Sequence, residues 1–392
     1  MDGRAVIVHY AEIGLKGGNR PQFERRLGDR LREGLRSAAI AATVWGTHGR
    51  ILVTPEDPAR AEAALEVATR IPGVARAALA AVTAAEIGAV ERAAVGMLSR
   101  APPGSFKVET QRADKSFPMT SLEVSRAAGA ACVAASRRSV DVHAPDVTVN
   151  VEITRLGAYV SAAWVPGPGG LPVGSSGRLL AFVSGGLDSP VAAWMMLRRG
   201  AKVTAVHFHN RTHEGSAVLE KLEDLAATLA WAAGEMHLWV VPFEACQRAI
   251  VAAVPASHRM VVYRRAMFRI GGALAHEARA LGFVTGDSLG QVASQTAENL
   301  RAIHDAATLP VYSPLIGMDK VDVVRTARRI GTYDTSIRPH EDCCSFLIAP
   351  SPVVRCRVDE VRALEAPLPW DLLVAEAAAG TVRSVHRPAP LA

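Results

Sequence analysis

Residues 178–200 read RLLAFVSGGLDSPVAAWMMLRRG: a short apolar run, a bend of two glycines and two serines around an aspartate, then an apolar pattern at helical spacing. No other stretch restricts the fold as much. A strand that becomes a helix within a few residues is followed by strand-like runs at 202–208, 237–241 and 283–285. Helix-like segments fall at 190–199, 216–233 and 258–281. That alternation predicts an α/β parallel sheet with right-handed crossovers, and ligands bind such sheets at the carboxyl ends of the strands. The bend stands at one of those ends.

Its chemistry is that of an anion site. Glycine lets the backbone approach a ligand closely, the first N–H groups of a helix have no internal partner, and the helix dipole adds partial positive charge. Ser184 and Ser189 can donate from their hydroxyls. Asp188 alone would repel a phosphate, so its expected task is to hold Mg²⁺ against one. The GxxxxGK[ST] pattern is absent, and so is its lysine. The bend therefore reads as a pyrophosphate site rather than one for γ-phosphoryl transfer. An ordinary serine- and glycine-rich turn is the alternative.

PGPGGLPVGSSG at 166–177 interrupts every periodicity and marks a domain boundary. Upstream, strands are expected at 5–10, 50–53, 74–82, 106–110 and 147–153, the last turning into a hairpin with 158–165. Helices are expected around Phe23, Leu27, Leu31 and Leu35, over 57–70 and over 86–100. Seven basic residues against three acidic ones lie between Lys16 and Arg36, in a chain of 392 residues with a formal net charge of +6. A local basic face suits a polyanion, although a solvated helix face has the same composition. No apolar run approaches the roughly 20 residues of a membrane span, and the opening lacks the layout of a signal peptide. Cys132, Cys246, Cys343, Cys344 and Cys356 form no CxxC pair, which argues against a zinc ribbon and for a reducing cytoplasm. The sequence HFH at 207–209 imitates a metal pair, but alternate strand residues share a face without needing a metal. The proline-rich end, 384–392, is expected to be frayed.

SGGLDS resembles the PP-loop of ATP pyrophosphatases, which adenylate a substrate and release pyrophosphate. Together with EIGLKGGNR, GGLPVGSSGR, AVHFHN, VTGDSLGQVASQT, PLIGMDK and RRIGTYDTSIRPHEDCC, nearly the whole chain is similar to the tRNA 4-thiouridine synthetase family, also called the thiamine-biosynthesis sulfurtransferase family. The resemblance implies a ferredoxin-like domain over 1–58, a THUMP RNA-binding domain over 59–165, a linker over 166–177 and a PP-loop domain (adenine nucleotide alpha-hydrolase-like) over 178–392. It implies that ATP adenylates uridine 8 of tRNA and that persulfide sulfur from a cysteine desulfurase then displaces AMP, giving 4-thiouridine. Sulfur supply to the thiamine thiazole, through a sulfur-carrier protein, is a further implied role, and a homodimer is left open.

By motif, the implied ATP contacts are Phe182, Val183, Ser184, Gly185, Gly186, Asp188, Ser189, His207, Phe208, Arg264, Gly286 and Gln295. Phe208 would stack on or pack beside adenine, and Arg264 would bring charge to the phosphates. Phe182 and Val183 read equally well as core. The sulfur chemistry falls to Cys343 or Cys344, with preference for Cys344, and Asp188 is the metal-holding residue. Cys356 is a candidate resolving thiol or a structural one; Cys132 and Cys246 read as core. Phosphate contacts to tRNA are expected from Lys16, Arg20, Arg25, Arg26, Lys107, Arg112 and Lys115. Some members carry a rhodanese domain with its own persulfide cysteine. Here the sequence ends soon after PWDLLVAEAAAGTVRS, so the persulfide is expected to be borne within these residues or delivered directly. Two other classes remain as alternatives: a PP-loop ligase or amidotransferase acting on a small molecule, and a non-catalytic RNA-binding protein.

Overall fold

A computed structural model describes residues 3–47, 49–210, 216–339 and 349–389. They divide into two compact units, one running to Pro172 and one over Val173–Ala389.

The first unit is an α+β layer. Its elements are β1 (Gly3–His9), α1 (Arg20–Ser37), β2 (Ala42–Thr47), β3 (Arg50–Pro55), α2 (Ala61–Ala68), β4 (Arg76–Thr83), α3 (Ile87–Arg100), β5 (Phe106–Arg112), α4 (Ser121–Ser136), β6 (Val147–Thr154), β7 (Gly157–Ser161) and β8 (Val165–Pro166). The strands form one sheet in the order β2-β3-β1-β4-β7-β6-β5, with β8 on β4. Only β5 and β6 run parallel within it. The leucines of α1 recur every fourth residue, so Leu27, Leu31 and Leu35 are all buried; Arg25, Arg32 and Arg36 are exposed, while Arg30 is buried beside the leucines. Val147, Val149, Val151 and Ile153 alternate inward along β6 under α3 and α4. A capping box between Thr120 and Glu123 starts α4, a helix the apolar periodicity did not announce.

The second unit contains β9 (Arg178–Phe182), α5 (Asp188–Arg198), β10 (Lys202–His209), α6 (Ser216–Ala233), β11 (Met236–Pro242), α7 (Glu244–Ala253), α8 (Arg259–Ala278), β12 (Phe283–Val284), α9 (Ala297–His304), β13 (Val311–Tyr312), α10 (Lys320–Arg329), α11 (Tyr333–Ser336), α12 (Val358–Glu365), α13 (Trp370–Ala379) and β14 (Val382–His386). The sheet order is β13-β12-β9-β10-β11-β14. All pairs are parallel except β11 with β14. Both faces are covered, as a parallel sheet requires. Leu179, Ala181 and Val183 face Val191, Leu197 and Leu229 of α5 and α6. Leu180 and Phe182 face the other way, with Val262, Phe268 and Ile270 of α8. Each fully buried Val, Leu, Ile or Phe among them contributes roughly 1.5–3 kcal/mol.

The expected frayed end is corrected in part. Residues 382–386 add an antiparallel edge strand to β11, with Arg383 across the Trp239 ring and paired to Glu277 at 2.6 Å. The prolines that suggested fraying lie beyond the strand. Among the described residues, no helix is long and apolar enough to cross a membrane.

Candidate active site and basic cleft

The bend after β9 is stitched by its own hydroxyls. The Ser184 N–H donates to Ser189 Oγ at 2.9 Å, Ser189 Oγ donates to the Ser184 carbonyl at 3.2 Å, and the Gly186 N–H reaches Ser184 Oγ at 3.3 Å. Ser189 is buried and Ser184 exposed, so one serine builds the turn and the other presents it. Gly286, just past β12, packs against the start of α5. A Cβ there would lie 2.8 Å from Ser189 N and 3.0 Å from the Asp188 carbonyl carbon, and backbone cannot give way as a side chain can.

Asp188 opens α5 and is tethered by residues distant in sequence. Lys320 Nζ, at the start of α10, donates to Asp188 Oδ1 at 2.6 Å, and Gln291 Nε2 donates to Oδ2 at 3.1 Å. The lysine missing from the bend is thus supplied from PLIGMDK, where Asp319 caps α10 by accepting from the Val321 N–H. Lys320 was not among the site residues expected from the sequence.

Two of the expected contacts are engaged by neighbouring side chains. Arg264 does not offer a free charge, because Asp287 holds its guanidinium through both carboxylate oxygens at 2.7 Å. Burial alone would raise the Asp287 carboxyl, yet the Arg264 charge overrides it and holds the group well below the usual carboxylate range. Gln295 Nε2 donates to the same carboxylate at 3.3 Å. The neighbouring Arg265 points into the core instead, onto Glu365 and Asp305, as consecutive helix positions must diverge. The Phe208 ring is not placed to stack on a base: it is 4% exposed and packs edge-on against Phe182 and Phe243. Val183 is a buried core side chain, and the partly buried Phe182 packs against the core on the opposite face of the sheet. His207 is buried, and its Nδ1 donates to the Val183 carbonyl at 3.0 Å, which settles its tautomer.

Cys343 and Cys344 lie outside the described residues. Leading toward them, Lys221 Nζ donates to the carbonyls of Ser336 and Arg338 at 2.9 and 2.8 Å, and Arg338 pairs with Asp224 at 2.5 Å. The three described cysteines are buried and poor nucleophiles. Burial pushes the Cys132 and Cys356 thiols up to about 11 and, with Glu376 nearby, Cys246 up to about 12.

In the first unit a cleft of about 1310 Å³ opens between α1, the β2–β3 hairpin and the turns at 113–114 and 154–156. Arg20, Arg25, Arg32, Arg50 and Arg155 line it together with Trp45, which is 62% exposed. Of the seven expected phosphate contacts, only Arg20 and Arg25 line the cleft, and Arg20 is shared with Glu24 and Tyr10. Lys16 lies over the Phe23 ring, Arg26 is half-buried, Lys107 is 3.5 Å from Glu109, and Lys115 is exposed. Arg112 donates to the carbonyls of Phe117 and Met119 at 2.6 Å and so braces the turn before α4. Trp45, Arg32, Arg50 and Arg155 were missed. For Arg32, the basic count in 16–36 was the available signal.

Beneath the cleft, Glu152 is 3% exposed. His9 Nε2 donates to it at 3.0 Å and Arg50 occupies its other oxygen, so a strand residue that alternation places outward is buried by pairing.

The parallel sheet, the stitched bend with Asp188 at its carboxyl edge, and the α+β unit ahead of it define a PP-loop α/β protein with ferredoxin-like and THUMP domains. Residues 174–369 match the family described as "Thiamine biosynthesis protein (ThiI)", residues 5–78 the ThiI ferredoxin-like domain and residues 85–163 the THUMP domain. A protein of Moorella thermoacetica called "Probable tRNA sulfurtransferase" is 41% identical over 373 residues, covering 95% of each chain. One of Thermus thermophilus with the same name is 41% identical over 375 residues, covering 96% of this chain and 92% of the relative. A 4-thiouridine synthetase solved in complex with RNA and bound ATP superposes with a TM-score of 0.88 at 33% identity, over 98% of this chain and 100% of that one. The protein PH1313 of Pyrococcus horikoshii superposes with a TM-score of 0.65 at 25% identity, over 84% and 99%. The chain belongs to the tRNA sulfurtransferase family.

Proposed function

We propose that this protein uses ATP to adenylate the C4 oxygen of uridine 8 in tRNA and then replaces that oxygen with sulfur, giving 4-thiouridine. The observation that carries the reading is the meeting of Asp188 and Lys320 over the bend, in a chain similar over its length to a synthetase solved with ATP and RNA.

The C4 oxygen of uracil is a poor leaving group. Attack of that oxygen on the α-phosphorus of ATP forms a C4–O–AMP bond and releases pyrophosphate. The terminal sulfur of a persulfide then attacks C4 and AMP departs. A thiol next attacks the Sγ of the persulfide-bearing cysteine, breaking its bond to the transferred sulfur; that sulfur leaves on C4 as the thiolated base, and the protein is left with a disulfide that an external thiol must reduce. The bend, with Ser184, Gly185, Gly186 and Ser189, holds the pyrophosphate. The backbone at Phe182, Val183, His207 and Phe208, together with Gly286, Gln295 and the Arg264–Asp287 pair, bounds the adenosine. Asp188 is a half-buried carboxylate of the hard-oxygen type that Mg²⁺ takes, and Mg²⁺ there would neutralise phosphate charge. Lys320, drawn to the same point, stabilises charge on the departing pyrophosphate.

Cys344, or Cys343 beside it, carries the persulfide, which a cysteine desulfurase supplies. The high thiol pKa values of Cys132, Cys246 and Cys356 support that choice. The basic cleft supports tRNA as partner, and the family's link to thiamine biosynthesis supports a second role in sulfur supply for thiamine synthesis. The test is incubation of unmodified tRNA with the protein, ATP, Mg²⁺ and sulfide, followed by the near-ultraviolet absorbance of thiolated uridine. Product is expected from the intact chain and from none of its Asp188→Ala samples; equal product from both defeats the reading.

A further inference from the structure

We propose that His258, Cys356 and Glu360 form a transition-metal site, with Zn²⁺ as the ion it suits. Their donor atoms all lie within 4.8 Å of one another, and His258 Nε2 is 3.0 Å from Glu360 Oε1. Zinc bonds of about 2.0–2.3 Å place tetrahedral ligands roughly 3.3–3.8 Å apart. Closing the set therefore takes rotation of the exposed Glu360 side chain, whose other oxygen accepts from the Arg357 N–H, and of the buried Cys356. One thiolate, one imidazole and one carboxylate are a borderline-soft set that selects zinc over Mg²⁺ or Ca²⁺, with water in a fourth position.

The ligands are held from behind. Ser257 Oγ engages His258 Nδ1 at 3.0 Å and so turns Nε2 toward the cluster, the usual arrangement for a metal-bound imidazole. The fully buried Asn299 accepts from the Cys356 N–H at 2.9 Å and donates to the carbonyls of Val353 and Ala293. Ala293 begins the turn that carries Gln295. Val353 N–H also donates to the Ser257 carbonyl at 3.0 Å. A bound ion would fasten the 353–357 loop to the start of α8, and through Asn299 it would stiffen the Gln295 side of the crevice. Loading releases the Cys356 thiol proton to solvent.

The experiment is a Co²⁺ titration of the full chain carrying Cys343→Ser and Cys344→Ser, which removes the two thiols most able to compete. One equivalent of Co²⁺ is expected to give a thiolate-to-cobalt band in the near ultraviolet, which Zn²⁺ then abolishes while raising the melting temperature. Cys356→Ser removes the band. His258→Ala and Glu360→Gln, at less buried positions that leave the metal-free melting temperature near its parent value, weaken binding by at least about tenfold, the scale on which even outer partners of a metal act. No band in the parent, a band that survives Cys356→Ser, or unchanged affinity in the other two variants would overturn the proposal.

Discussion

Lys320 Nζ stands 2.6 Å from Asp188 Oδ1 across 132 residues of chain, so α10 delivers to the bend the cation that the bend itself lacks. In the proposed reaction the carboxylate and the ammonium would divide the work: one would meet a divalent cation, the other phosphate oxygen directly. Lys320→Met should lower kcat for tRNA thiolation roughly 100- to 1,000-fold, the usual effect of removing one preorganised charge from a transition state. Asp188→Asn, which keeps the shape and removes the charge, should raise the Mg²⁺ concentration needed for half-maximal pyrophosphate release. A Lys320→Met protein with unaltered turnover would remove the lysine from the reaction.

Gly286 sets the distance between the end of β12 and the start of α5. With Ser189 N 2.8 Å from the Cβ position, Gly286→Ala must push the helix start off the sheet. Overpacking of this kind costs about 1–3 kcal/mol. The displaced atoms belong to the bend, so KM for ATP should rise along with a drop in melting temperature. Ser175→Ala, outside the bend, serves as the comparison that should leave KM alone.

Local signals made the second unit legible from sequence, and long-range pairing hid what was not. The strand–bend–helix at 178–198 is written in adjacent residues, so its position and sheet context could be read directly. Lys320 reaches Asp188 only through the fold, and PLIGMDK carries no mark of where its lysine points. Arg264 read as free charge because Asp287, 23 residues on, is acid and silent in one dimension. Strand alternation along 147–153 says nothing of the fate of Glu152, because His9 and Arg50 meet it from β1 and β3. The start of α4 was marked by Thr120 and Glu123, but its alanine-rich face has little amphipathic contrast. β14 was hidden by the prolines that follow it.

His9 gives the first unit an acid sensitivity with a defined sign. Burial, then the charges of Arg76 and Arg50, lowers the His9 pKa to about 4, against 6.5 for the ordinary group. Between these values the unfolded chain binds a proton that the folded chain refuses. Stability from this group is therefore complete above about pH 6.5 and is lost progressively as pH falls toward about 4. The loss is on the order of 1–3 kcal/mol. Urea midpoints at pH 7 and pH 4.5 should differ less for His9→Gln than for the parent. Equal differences in the two proteins would assign the sensitivity to other groups.

The cleft separates charge from stacking in a measurable way. Arg155 lines it with an always-charged head, so Arg155→Ala should weaken tRNA binding most at low salt and reduce the slope of log affinity against log salt by about 1. Trp45 lines the same cleft with an exposed ring and no charge. Trp45→Ala should lower affinity by about 1–3 kcal/mol, the worth of one stacked base, while leaving the salt slope unchanged. Arg112 provides the contrast. Its guanidinium is committed to the carbonyls of Phe117 and Met119, so Arg112→Ala should lower melting temperature and alter the salt slope little. Titrations of labelled tRNA at several salt concentrations distinguish all three. A Trp45→Ala protein that binds as tightly as the parent would show that the ring does not touch RNA, and a full unit of slope lost in Arg112→Ala would return that residue to the phosphate contacts expected from the sequence.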